Sequence, residues 1–193
     1  YQLGEILQTK SNGLIDEFIS YAKQNGGCLK ISYQDEHLKS IMGMMITIQT
    51  VWHIVKQIGS NFDIEFKVEA YRDDKGNANK ICTNMPSSEV RDKWLTNFTN
   101  AWIDDLKYDQ NIEGHLLPVV SVPKRTLTHW RVLSITCGNK KLSIYPDGGF
   151  INEWNIARQP NGERFEVETI TYDTKIYLYR NKDIKFDIAI ENC

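Results

Sequence analysis

Through the first 110 residues apolar positions recur every three or four residues, and beyond about residue 128 they mostly alternate with polar ones. Leu3, Leu7, Leu14, Phe18 and Ala22 predict a helix over 2–24, interrupted at Ser11-Asn12-Gly13 and ended by Gly26-Gly27. The alternation Cys28-Leu29-Lys30-Ile31-Ser32-Tyr33 predicts a short strand. A second helix is expected from Asp35, as its cap, to Gly59. Its apolar residues (Ile41, Met44, Met45, Ile48, Val51, Trp52, Val55 and Ile58, widened by Met42, Ile46 and Ile54) cover so much of the circumference that it belongs at the centre of the molecule.

Ile64, Phe66, Val68 and Ala70 alternate as a strand, and the turn residues 73–77 predict a hairpin returning through 80–82. Pro86-Ser87-Ser88-Glu89 opens a third helix, to about Tyr108, whose inner stripe is expected to be Val90, Trp94, Phe98, Ala101 and Trp102. Runs rich in Val, Ile, Tyr, Phe and Thr then occupy 129–137, 140–145, 150–158, 164–172, 175–180 and 184–190, separated by short turns such as Gly138-Asn139 and Pro160-Asn161-Gly162. Connections this short demand antiparallel neighbours, so a C-terminal β-meander of about six strands is expected. The class is α+β: a helix-rich N-terminal half packed on an antiparallel sheet, in a single domain with a soft boundary near 111–125.

Composition adds little to this picture. At 193 residues the chain is long enough to bury about 70% of its unfolded surface. A net charge of −2 gives no global pull toward nucleic acid or membrane. The longest apolar run, 41–46, is too short to span a bilayer, so no membrane insertion is expected of this segment. The chain opens on Tyr1 without a signal-peptide pattern, as a piece cut from a longer protein or a mature product would. Cysteines at 28, 82, 137 and 193 lack the close pairing of a zinc site, and reduced thiols in a cytoplasmic setting are the expectation. The sequon Asn97-Phe98-Thr99 lies on the third helix and reads as accidental.

Candidate chemistry is sparse. The glycine-rich nucleotide loops, the nucleophile elbow, the zinc-protease helix and the calcium loop are all missing from the sequence, so no cofactor is expected. Pro146-Asp147 followed by Asp173-Thr174-Lys175 copies the lettering of metal-dependent nucleases, in which two carboxylates hold the metal and a lysine positions water. Both aspartates fall at turns, where aspartate is favoured for its own backbone hydrogen bonds. Asp104-Asp105 point about 100° apart on a helix and cannot share a ligand. Of the four histidines, His53 reads as a core residue, and His115 and His129, which flank a basic segment, are the two candidates for an acid or base.

The strongest electrostatic signal is an acid-free run of 33 residues, Gly114 to Pro146, carrying Lys124, Arg125, Arg131, Lys140 and Lys141 with Trp130 and Tyr145 among them. Guanidinium forks bind phosphate or carboxylate, and aromatic rings stack on bases. These seven residues are the expected ligand-binding set of a non-enzymatic recognition or regulatory module. Its partners would be an anionic ligand (a nucleotide, a nucleic acid or an acidic protein surface) and the other domains of a longer chain. A protein–protein assembly domain is the first alternative. A nuclease built on Asp147, Asp173 and Lys175 is the second.

Overall fold

A computed structural model of the chain describes residues 3–36, 38, 41–70, 87–123, 126–127, 131–146, 157–158, 177–178 and 186–193. The first helical stretch is split as its sequence requires. Helix α1 (Leu3–Lys10) and helix α2 (Leu14–Asn25) are separated by a kink in which Asn12 and Gly13 take φ of 48° and 84°. Gly26 and Gly27 (φ 62° and 101°) end α2, and the Gly26 N–H bonds back to the Ala22 carbonyl. Strand β1 (Leu29–Asp35) leads into helix α3 (Ile41–Ile58), strand β2 (Phe62–Glu69) follows, and helix α4 (Ser88–Gln110) is capped by the Ser87 hydroxyl, which accepts from the Val90 N–H.

The chain then adds strands β3 (Gly114–Leu116), β4 (Val120–Val122), β5 (Val132–Cys137) and β6 (Lys140–Pro146). A two-stranded pair follows, β7 (Ala157–Arg158) with β8 (Tyr177–Leu178), and then β9 (Phe186–Asn192). The seven-stranded sheet runs β3-β2-β1-β5-β6-β9, with β4 sharing the outer edge of β2 beside β3. The α+β class therefore holds, with one refinement. The C-terminal side of the sheet is antiparallel, but β1, β2, β3 and β4 are parallel. Helix α3 carries the chain back across the sheet between β1 and β2, and a connection of that length produces parallel neighbours. Residues 80–82, expected as the returning arm of a hairpin, lie outside the described residues.

One sheet face carries the core. Leu29, Ile31, Tyr33, Phe62, Ile64, Phe66, Val68, Leu133, Ile135, Leu142 and Ile144 are buried on it, beneath Phe18, Ile19, Ala22 and the buried residues of α3. The registers Ile31↔Ile64, Ile31↔Ile135 and Ile135↔Leu142 align these residues across four strands. Met44, Met45, Ile46, Ile48, Val51, Ile54 and Val55 are all buried, which confirms α3 as the central helix. It starts six residues later than expected, because Asp35 is the last residue of β1 and not a helix cap. Trp52, expected inside, is 36% exposed and lies under the Lys56 ammonium, 4.9 Å from its ring centre.

Helix α4 buries Arg91, Leu95, Phe98, Thr99, Trp102, Ile103 and Leu106. The inner stripe is thus rotated from the expected one: Phe98 and Trp102 are inside, Trp94 is half-buried against the Phe98 ring, and Ala101 faces out. A polarity pattern misses this rotation because two inner positions are polar. Arg91 is fully buried and donates to the Glu69 carbonyl (2.6 Å), the Ser121 hydroxyl (3.0 Å) and Asp92 (2.8 Å). It ties the first turn of α4 to the ends of β2 and β4. At the far end Trp102 packs on Phe62, ring centres 5.0 Å apart. Gly114 passes so close that a Cβ there would stand 2.4 Å from the Phe62 ring.

Candidate functional site

The acid-free run does not form one patch. Lys140 and Lys141 stand at the β5–β6 turn, whereas Arg131 precedes β5 at the opposite end of the same hairpin, roughly 17–20 Å away along the strand. Tyr145 lies near the Arg131 end of β6, since its neighbour Ile144 pairs with Leu133. Strand alternation also divides the set by face. Lys141 and Tyr145 point away from the helices, while Lys140 and Arg131 point toward them, each bonded to a residue there or on the same face of β1. Lys124, Arg125 and Trp130 lie outside the described residues, as do His129, Asp147, Asp173 and Lys175.

Nor is the run free of carboxylates in space. Lys140 reaches Glu17 on α2 (3.1 Å) and lies 5.0 Å above the Tyr21 ring. The Tyr21 hydroxyl donates to the Asn139 side chain, so α2 grips the hairpin turn from one side. Lys141 pairs across the strand with Glu191 (2.9 Å), which raises the lysine pKa mainly through that hydrogen bond. Cross-strand and helix–hairpin pairs of this exposed kind are worth a few tenths of a kcal/mol, and they neutralise the charges locally. The Lys140–Lys141 end is held by its own partners.

The Arg131 end is built differently. The Asp35 carboxylate is 1% exposed and Tyr33 is completely buried. Tyr33 donates its hydroxyl to Asp35 Oδ2 (2.7 Å), and Arg131 donates through Nε to Oδ1 (3.3 Å). Burial, and then the adjacent Asp35 charge, pushes the Tyr33 hydroxyl well above its ordinary range, so it remains a protonated donor. The strand register places both residues, because Tyr33 and Asp35 are two apart and share the helix-covered face of β1. Sequence reasoning missed them: aspartate before a helical pattern reads as a cap, and a tyrosine in an apolar alternation reads as core.

This end of the sheet is also where β2 and β4 stop, at Glu69 and Val122, and where β6 meets β9 through Pro146↔Phe186. Pro123 and Arg131, the described neighbours on either side of Lys124, Arg125 and Trp130, both stand there. Carboxyl ends of parallel strands are the usual ligand edge of sheets with helices beside them. Asp35, Glu36 and Glu69 are buried at this end. Among the described residues, however, no three acidic, histidine or cysteine side chains converge as a metal site would need. His115 stands elsewhere, exposed at the sheet edge and 3.3 Å from Asp63. His53 is half-buried against Gly4, and desolvation lowers its pKa.

No helix among the described residues is long and apolar enough to cross a membrane. Residues 2–185 match the family described as DEAD/DEAH box helicase YjiV, C-terminal domain. That match spans nearly the whole chain, and the chain belongs to this family. No curated protein and no solved structure matches it.

Proposed function

We propose, from membership in that helicase-domain family, that the chain is a non-catalytic recognition domain that engages the phosphate backbone of a nucleic acid for the helicase domains of a longer cytoplasmic protein. The observation that carries this reading is the position of the acid-free segment. The chain leaves β4 at Pro123 and re-enters the sheet at Arg131, at the carboxyl ends of the parallel strands, with Lys124, Arg125 and Trp130 between those two points. Lys124 and Arg125 would add two cations to the Arg131 end, and Trp130 would offer a ring on which bases stack. Lys140 and Lys141 fall outside this site, since each is paired at the opposite end of the hairpin. The domain would need no metal or cofactor of its own.

Titration of labelled single-stranded and duplex oligonucleotides at two salt concentrations tests the reading. Lys124→Ala/Arg125→Ala should weaken binding about tenfold or more and flatten the salt dependence, because each lost phosphate contact removes ~0.7–0.9 from the log–log slope. Lys140→Ala/Lys141→Ala should change affinity less than about twofold, as expected of exposed, already paired charges. Equal losses in the two variants, or no binding by the wild type, would overturn it. Magnesium- or manganese-dependent cleavage of the oligonucleotide would favour the reading on Asp147, Asp173 and Lys175 instead.

A second reading has its own observation. Leu117 and Val120 are 42% and 39% exposed along the segment that forms the β3–β4 edge of the sheet. An apolar edge of this kind suits assembly with a second copy of the chain. Chain mass that rises with concentration, and falls back in Leu117→Lys, would support it.

A further inference from the structure

Among the described residues Arg131 is held by one partner, Asp35. Its Nε donates to Asp35 Oδ1, and among the described residues neither terminal nitrogen has a partner. An arginine that merely neutralises a buried carboxylate tends to lay its fork across both oxygens. Here the guanidinium meets Asp35 through Nε to Oδ1, while Tyr33 donates to Oδ2. In a planar guanidinium held through Nε–H, the end-on Nη1/Nη2 fork opens in a different direction from that bond. The side chain is 17% exposed, shielded enough for its hydrogen bonds to count and open enough to be reached.

We infer that Tyr33 and Asp35 are positioning residues that present the Arg131 fork to the oxygens of a phosphate group, making this one defined oxyanion site and not diffuse positive charge. A planar fork with two parallel N–H donors matches two phosphate oxygens, and preorientation by a buried carboxylate removes the entropy cost of fixing it. The inference rests on the nucleic-acid reading only for the molecule that carries the phosphate.

Two measurements on the full chain separate the possibilities. In the first, inorganic diphosphate is titrated while the Arg131 Nε–Hε resonance is followed by NMR; a saturable shift is expected. In the second, oligonucleotide affinity, salt slope and melting temperature are compared across variants. Arg131→Lys keeps the charge that Asp35 needs but loses the fork. It should melt near the wild type, keep the salt slope and bind about tenfold more weakly, which is what one shielded charge-assisted bond amounts to. Tyr33→Phe removes one donor that orients the Asp35 carboxylate, loosens the Arg131 fork it holds, and should weaken binding several-fold. Asp35→Asn/Arg131→Gln, which removes both charges of the pair together, should lose ~0.7–0.9 of slope. Wild-type oligonucleotide binding with no diphosphate shift and no change in these variants would overturn the oxyanion site and leave the proposed function standing. A diphosphate shift without oligonucleotide binding would do the reverse, and failure of both would remove both.

Discussion

Trp102 gives the sharpest test of how α4 is held. The side chain is 1% exposed and stacks at a 33° tilt on Phe62, which is itself completely buried. Burying a tryptophan removes about 150–250 Å² from water. At ~25 cal/mol per Å² that corresponds to roughly 4–6 kcal/mol, an upper bound because the unfolded chain already buries part of it. Against this stands the indole Nε1, which is buried without a hydrogen-bond partner among the described residues. An unmade bond of that kind costs about 1–3 kcal/mol. Trp102→Ala removes both contributions and leaves a cavity, so a net loss of ~3 kcal/mol is expected, near the low end for large-to-small aromatic changes. For a domain of 193 residues that lowers the melting temperature by about 6–12 °C. Trp102→Phe keeps the stack on Phe62 and deletes the unpaired donor, so it should melt within about 4 °C of the wild type. Calorimetric or circular-dichroism melts of the three proteins decide. Trp102→Ala within two degrees of the wild type, on the order of the smallest shift expected for 1 kcal/mol, would refute the packing. Trp102→Phe as damaging as Trp102→Ala would show that Nε1 has a partner.

Other substitutions probe the remaining joints. Gly114→Ala should destabilise by about 1–3 kcal/mol, because its Cβ would stand 2.4 Å from the buried Phe62 ring, and denaturant midpoints measure it. Arg91→Ala removes the tie between α4, the Glu69 carbonyl and Ser121 and should cost about 3–5 kcal/mol. Lys107→Ala, which breaks only the exposed pair with Glu113, should cost under ~1 kcal/mol in the same melts. His53 is held below its ordinary pKa in the folded state by desolvation, so the unfolded chain takes up the proton first. Stability should therefore fall as pH drops from about 6.5, the unfolded value, through the lower folded one. His53→Gln should show a smaller fall between pH 7.5 and 5.5 than the wild type.

Much of the fold was legible because its signals are local. The Ser11-Asn12-Gly13 kink, the Gly26-Gly27 stop and the Ser87 cap each arise from what those residues do to their own backbone. The parallel side of the sheet was not legible, since β1 and β2 meet only once α3 has carried the chain back, and alternation does not record which strand is the neighbour. The α4 stripe was misplaced for a related reason: Arg91 and Thr99 are inside because β2, β4 and the helix's own carbonyl supply their partners. The basic run illustrates the limit for sites. An acid-free stretch of sequence says nothing about carboxylates arriving from elsewhere, and Glu17, Asp35 and Glu191 arrive from three different elements. What the pattern did mark is the segment from Pro123 to Arg131, which returns to the sheet beside Asp35.

The most direct test of the nucleic-acid reading is ultraviolet cross-linking of the chain to a single-stranded oligonucleotide, followed by peptide mapping of the attached residues. Aromatic rings on which bases stack are the side chains that become attached, so adducts are expected at Trp130, and they should fade in Lys124→Ala/Arg125→Ala at moderate salt. Adducts confined to Tyr21 beside the Lys140–Lys141 turn, or to Tyr108 on the outer surface of α4, would place any nucleic acid elsewhere and contradict the account.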